Sequence, residues 1–359
     1  MSGPNLRNEV ELLKALVACP SVSGDEDAVA RLVERIAAGF GLDVVRDETG
    51  VKVVVDTGRP GRTLAFISHL DVVPPGEGWT RDPFTPVIEG DRLYGRGSGD
   101  AKASVASMLL AALDFAEHRA GSVGGSLVVV FGLGEETKHT TMGRAVATLP
   151  PLTAAVVGEP TNLAIAIAQR GLMMVDLVAR GDQRHAGYAA DGNFTNAITR
   201  LAVDLVRLPS LLQDRSHPVL GKTTVTATMI EAGVSRNVTP PTAKAVLDIR
   251  STPSFEHAEI GTLLRAGLDC DVVVTSERLV PCETPPDSKL LAAARRVEPS
   301  VTTFGSPTCS DWVFVRTIDT IKCGPGTSRR SHTADECVDL PEVTAARRFY
   351  RALAEEYLR

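Results

Sequence analysis

Hydrophobic positions change their period along this chain, and the elements follow from that change. Residues 8–18 place Val10, Leu13 and Leu16 at helical spacing, which predicts a short helix. In PSVSGDEDAVARLVERIAAGFG an apolar face of period 3.6 follows Ser23 or Asp25, either of which suits an N-cap, and Gly41 supplies the stop. Short apolar runs then predict strands at about 51–56 and 63–68, a helix over 101–117, and strands at 126–131 and 154–157. Strands alternating with helices imply an α/β fold, a three-layer domain around a mostly parallel sheet.

From about residue 168 the rhythm is different. Strand 172–180, helix 196–208, strands 223–231 and 243–251, helix 255–267 and strand 270–276 run β-α-β-β-α-β, the split unit of ferredoxin-like folds. The prediction is a main domain of residues 1–167 and 277–359 interrupted by an inserted ferredoxin-like (βαββαβ) lid domain of residues 168–276. CETPPDSK (282–289) reads as the returning linker, because its two prolines discourage regular structure.

Composition narrows the field. A length of 359 residues is long for one core and agrees with two domains. A net charge of −6 without any basic block argues against nucleic-acid binding. No apolar run reaches membrane-spanning length. MSGPNLRNEVELLKALVACP lacks a basic stretch followed by an apolar core, so no signal peptide is expected. Six scattered cysteines without CxxC spacing read as reduced thiols of a cytoplasmic protein.

The chemistry lies where the apolar strands stop. His69 and Asp71 follow TLAFI, Asp100 follows RLYGRGSG, Glu135 and Glu136 follow SLVVVFGLG, Glu159 follows AAVVG, and a lone His332 sits late in SRRSHTADE. Charged residues at strand ends fall on the sheet edge, where open α/β folds place ligands. Side chains at i and i+2 of an extended segment share a face, so His69 would bind a metal ion with Asp71 orienting its ring; a capped turn is the plain alternative. An isolated Asp before a helix is an ordinary N-cap, but the glycines around Asp100 favour close approach to a ligand, which suits a bridging carboxylate. Adjacent Glu135 and Glu136 repel unless a cation or proton holds them, unless they are a solvated loop pair. Glu159 ends a strongly apolar strand and needs compensation.

Charge counting favours two ions. Two zinc ions carry four positive charges; Asp100, Glu136 and Glu159 supply three negative ones, and a bridging hydroxide the fourth. Carboxylate and imidazole donors without thiolate suit catalytic zinc, and Glu135 is left to carry protons.

The segments SHLDVVPPGEGWTRDPF, YGRGSGDAKAS, GLGEET, VGEPT and SHTADE resemble, in order, the signatures of the co-catalytic zinc aminoacylase and carboxypeptidase superfamily. Within it the chain resembles the acetylornithine deacetylase and succinyl-diaminopimelate desuccinylase group, from about residue 8 to the end. The resemblance implies two zinc ions, with cobalt or manganese as possible substitutes: His69 and Glu159 on one, Glu136 and His332 on the other, and Asp100 bridging. It implies Asp71 behind His69, Glu135 as general base, and a homodimer formed through the lid. In RGDQRHAGYA, His185 resembles a histidine that reaches the partner's site and steadies the oxyanion, while Asn237 and Arg250 match substrate-contacting positions.

Specificity is expected from the late loops around Ser310 and from Arg329 or Arg330, either of which suits an α-carboxylate. The string GPGTSRRSHTADE resembles amino-acid deacylases more than dipeptidases. GSGDAKAS and RGDQRHAG depart from the commoner DMKG, DAKG and GKxAHAG patterns, which leaves the acyl group open. The leading expectation is a di-zinc amidohydrolase that takes acetyl from the α-amine of acetylornithine or acetylcitrulline, in arginine biosynthesis. Desuccinylation of succinyl-diaminopimelate, deacylation of N-acyl-lysine and dipeptidase or tripeptidase activity are the alternatives. A non-enzymatic binding protein is disfavoured, because every ligand position is present. His118, His139, His217 and His257 read as solvated, and Trp79 as packing for its loop.

Overall fold

The computed structural model of the chain describes residues 4–118, 123–191 and 194–359. The chain divides into two compact units, one of Met1–Ile167, Thr284–Phe304 and Ser310–Arg359, the other of Ala168–Glu283 and Gly305–Cys309.

The first unit is built on a sheet whose strands run in the order Asp43–Asp47, Gly50–Asp56, Ser126–Gly132, Thr63–His69, Ala154–Val157, Asp319–Lys322 and Ile165–Gln169. Its four middle strands, 126–132, 63–69, 154–157 and 319–322, are parallel; the flanking pairs are antiparallel. Parallel strands must be covered on both faces, which accounts for their near-continuous apolar runs. Helix Lys102–His118 packs on this sheet and against helices Glu9–Val17 and Leu340–Leu358. Most of its residues are buried, as befits a helix that is apolar nearly all round. Phe66, Met108, Phe115, Phe131 and Tyr350 are fully buried in this core.

The second unit has a four-stranded antiparallel sheet in the order Thr224–Ala232, Thr242–Ser251, Gly171–Arg180, Asp271–Leu279. Helices Ala197–Leu211 and His257–Gly267 pack with it, so the β-α-β-β-α-β order has the spatial sequence of a ferredoxin-like unit. Strict alternation of burial along 171–180 shows that only one face of this sheet meets its helices.

Two local expectations change. The second helix begins at Asp27 after Glu26, not after Ser23 or Asp25, because the Ser23 hydroxyl donates to Asp71 Oδ2 at 2.7 Å and is not available to cap. Gly41 does sit just past that helix in the left-handed conformation, at φ 78°. A strand at Asp43–Asp47 also forms. It is a half-exposed sheet edge that lacks the apolar run expected of its neighbours. Among the described residues no helix is long and apolar enough to cross a membrane.

Candidate metal centre

Parallel register brings the strand ends together. His69 pairs with Gly132 and Ile67 with Val157, so His69, the Glu135–Glu136 turn and Glu159 leave the sheet on one edge. Gly158, just before Glu159, meets helix 102–118 so closely that an added Cβ would lie 2.6 Å from Met108 Cε and 2.9 Å from Ser104 Cβ. Any side chain there would push Glu159 away from the edge.

Asp100 is fixed from the other side. The buried Glu336 carboxylate accepts from the backbone N–H groups of Gly97 (2.9 Å), Gly99 (3.0 Å) and Asp100 (3.0 Å), and from Arg96 Nη1 at 2.7 Å. Arg96 in turn stacks over Trp79, 5.2 Å from the ring centre, so Trp79 packs this loop as expected. Glu336 lies four residues after His332 and therefore ties the C-terminal loop to the glycine-rich one.

The donors form two sets of three, each within 4.8 Å, and Asp100 belongs to both. In the first, His69 Nε2 lies 3.4 Å from Asp100 Oδ1 and 3.9 Å from Glu159 Oε1. In the second, His332 Nε2 lies 3.0 Å from both oxygens of Glu136 and 3.7 Å from Asp100 Oδ2. One oxygen of Asp100 faces each set, the disposition a bridging carboxylate requires.

These residues fit a pair of divalent cations. His69 Nε2 and Glu159 Oε1 are buried without a hydrogen-bond partner, a costly arrangement unless something binds them. Burial pushes the Glu159 carboxyl up to about 8; the His69 charge opposes this and Asp100 adds to it. Burial likewise drives Glu135 well above the carboxylate range, against the pull of His69 and with Glu159, Asp311 and Glu136 adding to it. Burial would also raise Asp100, but the close His69 ring, 3.4 Å away, outweighs it and brings the group down. A cation relieves this crowding of carboxylates.

Asp71 acts behind the first set, in a different way from the one expected. Its backbone carbonyl accepts a hydrogen bond from His69 Nδ1 at 3.0 Å, which leaves Nε2 free to coordinate; its carboxylate is farther, at 3.5 Å. That carboxylate instead accepts from the backbone N–H groups of Glu135 and Glu136, both at 3.0 Å, and from Ser23. Burial works to raise it, but the nearby His69 ring, with hydrogen bonds from Ser23 and the Glu136 N–H, holds it at about 2.

The substrate-contact expectations fare unevenly. Arg330 is ion-paired to Asp339 at 3.0 Å, whereas Arg329 is exposed. Ser310 is fully buried, and its hydroxyl accepts from Trp312 N at the start of a 3₁₀ turn. In the second unit, strand Arg184–His185 pairs with Val238–Thr239, and Ala186 N donates to Asn237 O at 2.8 Å. His185 and Asn237 are therefore neighbours. Arg250 is paired with Asp248.

Sequence reasoning missed four residues. Glu336 and Arg96 were visible as an acid four places after His332 and a lone arginine among glycines. Of the histidines expected to be solvated, only His118 is exposed. His217 accepts from Val219 N and Leu220 N, and His257 is buried against Ser251. His139, the third missed residue, has Nδ1 3.3 Å from Asp311 Oδ1 and 3.5 Å from Glu135 Oε1. Asp311 is the fourth: the sequence put it beside Ser310 in a specificity loop, not against His139.

The sequence pattern of peptidase family M20/M25/M40 matches residues 65–356. The chain is 31% identical to a succinyl-diaminopimelate desuccinylase of Cereibacter sphaeroides, over 97% of this chain and 98% of that one. In fold it is similar to an aminopeptidase of Bacillus cereus, with a TM-score of 0.82 and 20% identity over 99% of this chain and 100% of that one. It is also similar to a dinuclear metal-binding peptidase of Bacillus subtilis, with a TM-score of 0.76 and 16% identity over 98% and 97% of the two chains.

Proposed function

The chain belongs to peptidase family M20/M25/M40 and is a dinuclear metal-dependent hydrolase of amide bonds, and on that premise we propose that it is a desuccinylase acting on an N-succinyl amino acid of the diaminopimelate type. The observation that carries the chemistry is the pair of three-donor sets joined through Asp100. Similarity to a desuccinylase over nearly the full length, at 31% identity, favours succinyl over acetyl, so the acetylornithine reading and its place in arginine biosynthesis give way to the desuccinylase alternative.

In this reading His69, Glu159 and Asp100 hold one ion, and Glu136, His332 and Asp100 the other. Zinc suits these donors, and cobalt or manganese stand in. When bound, the ions polarise the acyl carbonyl and acidify water. Glu135 takes the proton from the attacking water and returns it to the amine nitrogen as the C–N bond breaks. Asp71 fixes the turn from which Glu135 works. With Arg330 committed to Asp339, Arg329 is the cation proposed to meet a substrate carboxylate. His185, Asn237 and Arg250 are proposed substrate contacts on the strength of the resemblance.

A homodimer through the inserted unit is part of the same proposal. Edge strand Thr224–Ala232 ends its sheet with Met229 and Ile230 more than 60% exposed, and Val206 on the neighbouring helix is 82% exposed; apolar exposure of this kind marks an interface. Six free thiols agree with a reducing, cytoplasmic setting.

The test is a panel of N-succinyl, N-acetyl and N-formyl amino acids beside dipeptides, assayed with zinc or cobalt. Preferred cleavage of N-succinyl substrates is expected; cleavage of dipeptides alone would replace the reading with a peptidase. Glu135→Ala should lower kcat on the order of 10²–10⁴-fold with both ions retained, and a near-normal kcat would remove Glu135 as the base.

A further inference from the structure

We propose that His139, backed by Asp311, positions the Glu135 carboxylate for proton transfer and keeps it off the metal ions. The inference rests on the reading of Glu135 as general base. Its geometric basis is a single imidazole N–H placed between two buried carboxylates, 3.3 Å from Asp311 Oδ1 and 3.5 Å from Glu135 Oε1.

The surrounding backbone is shaped to deliver that ring. His139 is in the left-handed region, at φ 46°, a conformation that costs a non-glycine residue free energy and persists where the surroundings impose it. The N–H groups of Lys138 (3.1 Å) and His139 (3.0 Å) both bond to Gly134 O, which folds the segment back over the Glu135–Glu136 turn. Thr141 Oγ1 accepts from Leu133 N at 3.2 Å and closes the loop. Helix Thr141–Ala147, which starts two residues after His139, lies against the 3₁₀ turn Asp311–Val315: a Cβ on Gly143 would be 2.9 Å from the Phe314 ring. The loop bearing His139 and the turn bearing Asp311 therefore cannot separate freely.

The need for such a device follows from the crowding described above. Glu135 is adjacent to Glu136, and a divalent pair attracts any nearby carboxylate. A base that slid into coordination would lose the oxygen that accepts the proton. Holding Oε1 with a fixed donor leaves the second oxygen for the water proton. That proton passes from water to Glu135 and then to the departing amine nitrogen, while His139 keeps its own Nδ1 proton throughout. Asp311 is buried and lies against the same Nδ1, so it sets the orientation of the ring at the nitrogen that faces Glu135. His139 is thus a positioning residue.

Three variants of the full chain, loaded with cobalt, test this. His139→Gly keeps the left-handed backbone and removes the ring, so kcat should fall by roughly 10–100-fold, the range seen when a supporting partner is removed, with KM nearly unchanged and two ions still bound. His139→Asn tolerates the same backbone and keeps an N–H near the Nδ1 position; it should recover most of the lost kcat. Asp311→Asn keeps the loop and weakens the support, with an intermediate loss expected. Ion stoichiometry, read on every variant, should match the parent, whereas the cobalt absorption spectrum should shift in His139→Gly as Glu135 reaches the ions and stay near the parent in His139→Asn; an unchanged spectrum in His139→Gly would overturn the claim that the ring keeps Glu135 off them. A kcat for His139→Gly near the parent value, an Asn variant no better than Gly, or loss of an ion would overturn the inference. If His139→Gly does not fold, an unchanged kcat in Asp311→Asn overturns it equally. Glu135→Ala separates the two ideas: if it stays active, the base reading fails, whereas an inactive Glu135→Ala beside a normal His139→Gly defeats the role of His139 alone.

Discussion

The two donor sets share Asp100 yet are built in opposite ways. The first set stands on strand ends, and His69 is 1% exposed; its imidazole and Glu159 point unsatisfied polar atoms at each other. The second stands on loops. His332, 53% exposed and in a left-handed conformation, already bonds both oxygens of Glu136. A cation entering the first set satisfies orphaned atoms, whereas one entering the second must replace the hydrogen bond between His332 and Glu136. Two sites with the same donor types should therefore differ in affinity, the buried one being tighter.

The sharpest way to break this comparison is to remove one histidine at a time. His69→Ala should abolish the tight site and reduce turnover to background, a loss well beyond the roughly 10–100-fold that follows removal of a partner behind a ligand; calorimetric titration with zinc reads it directly. His332→Ala should keep the tight ion and lose the weak one. Retention of the weak ion alone would reverse the ranking. Asp71→Asn comes next. The carbonyl bond to His69 survives, while a weakened hold on the Glu135–Glu136 turn should lower kcat roughly 10–100-fold with a smaller change in tight-site affinity.

The smallest effect serves as a control. Asp47 belongs to neither set and pairs with Lys52 at 2.7 Å. Burial works to raise it, but hydrogen bonds from Lys52 and Thr49 bring it to about 2, below its ordinary 3.8. A depressed carboxylate stabilises the fold above its unfolded value and loses that contribution as pH falls through its folded one. Asp47→Asn should thus cost at most about 1 kcal/mol near neutrality, with the gap from the parent closing between about pH 4 and pH 2. Metal affinity at pH 7 should not move; if it does, the two sets are not insulated from this edge of the sheet.

Legibility of the sequence followed the same divide. Donors that terminate apolar strands, such as His69 and Glu159, were readable because parallel pairing converts strand ends into one edge. The inserted unit was readable because its two central strands, Gly171–Arg180 and Thr242–Ser251, alternate cleanly. His139 was not, since its partners come from Glu135 and from Asp311, 172 residues away, and no local pattern encodes that meeting. Ser23 failed as a cap for a related reason: Asp71, 48 residues on, takes its hydroxyl. Strand 43–47 lacks an apolar run, so only pairing with Gly50–Asp56 defines it.

Strand Asp319–Lys322 lies between Ala154–Val157 and Ile165–Gln169, an interior place filled by a segment that follows the whole inserted unit in the chain. A nascent chain that has emerged only as far as residue 300 has a gap in its sheet and lacks His332 and Glu336. Contacts of such long sequence separation slow folding and leave unpaired edges exposed meanwhile. The donor edge is thus incomplete until residues 319–336 have emerged, and chaperone demand should peak over that stretch.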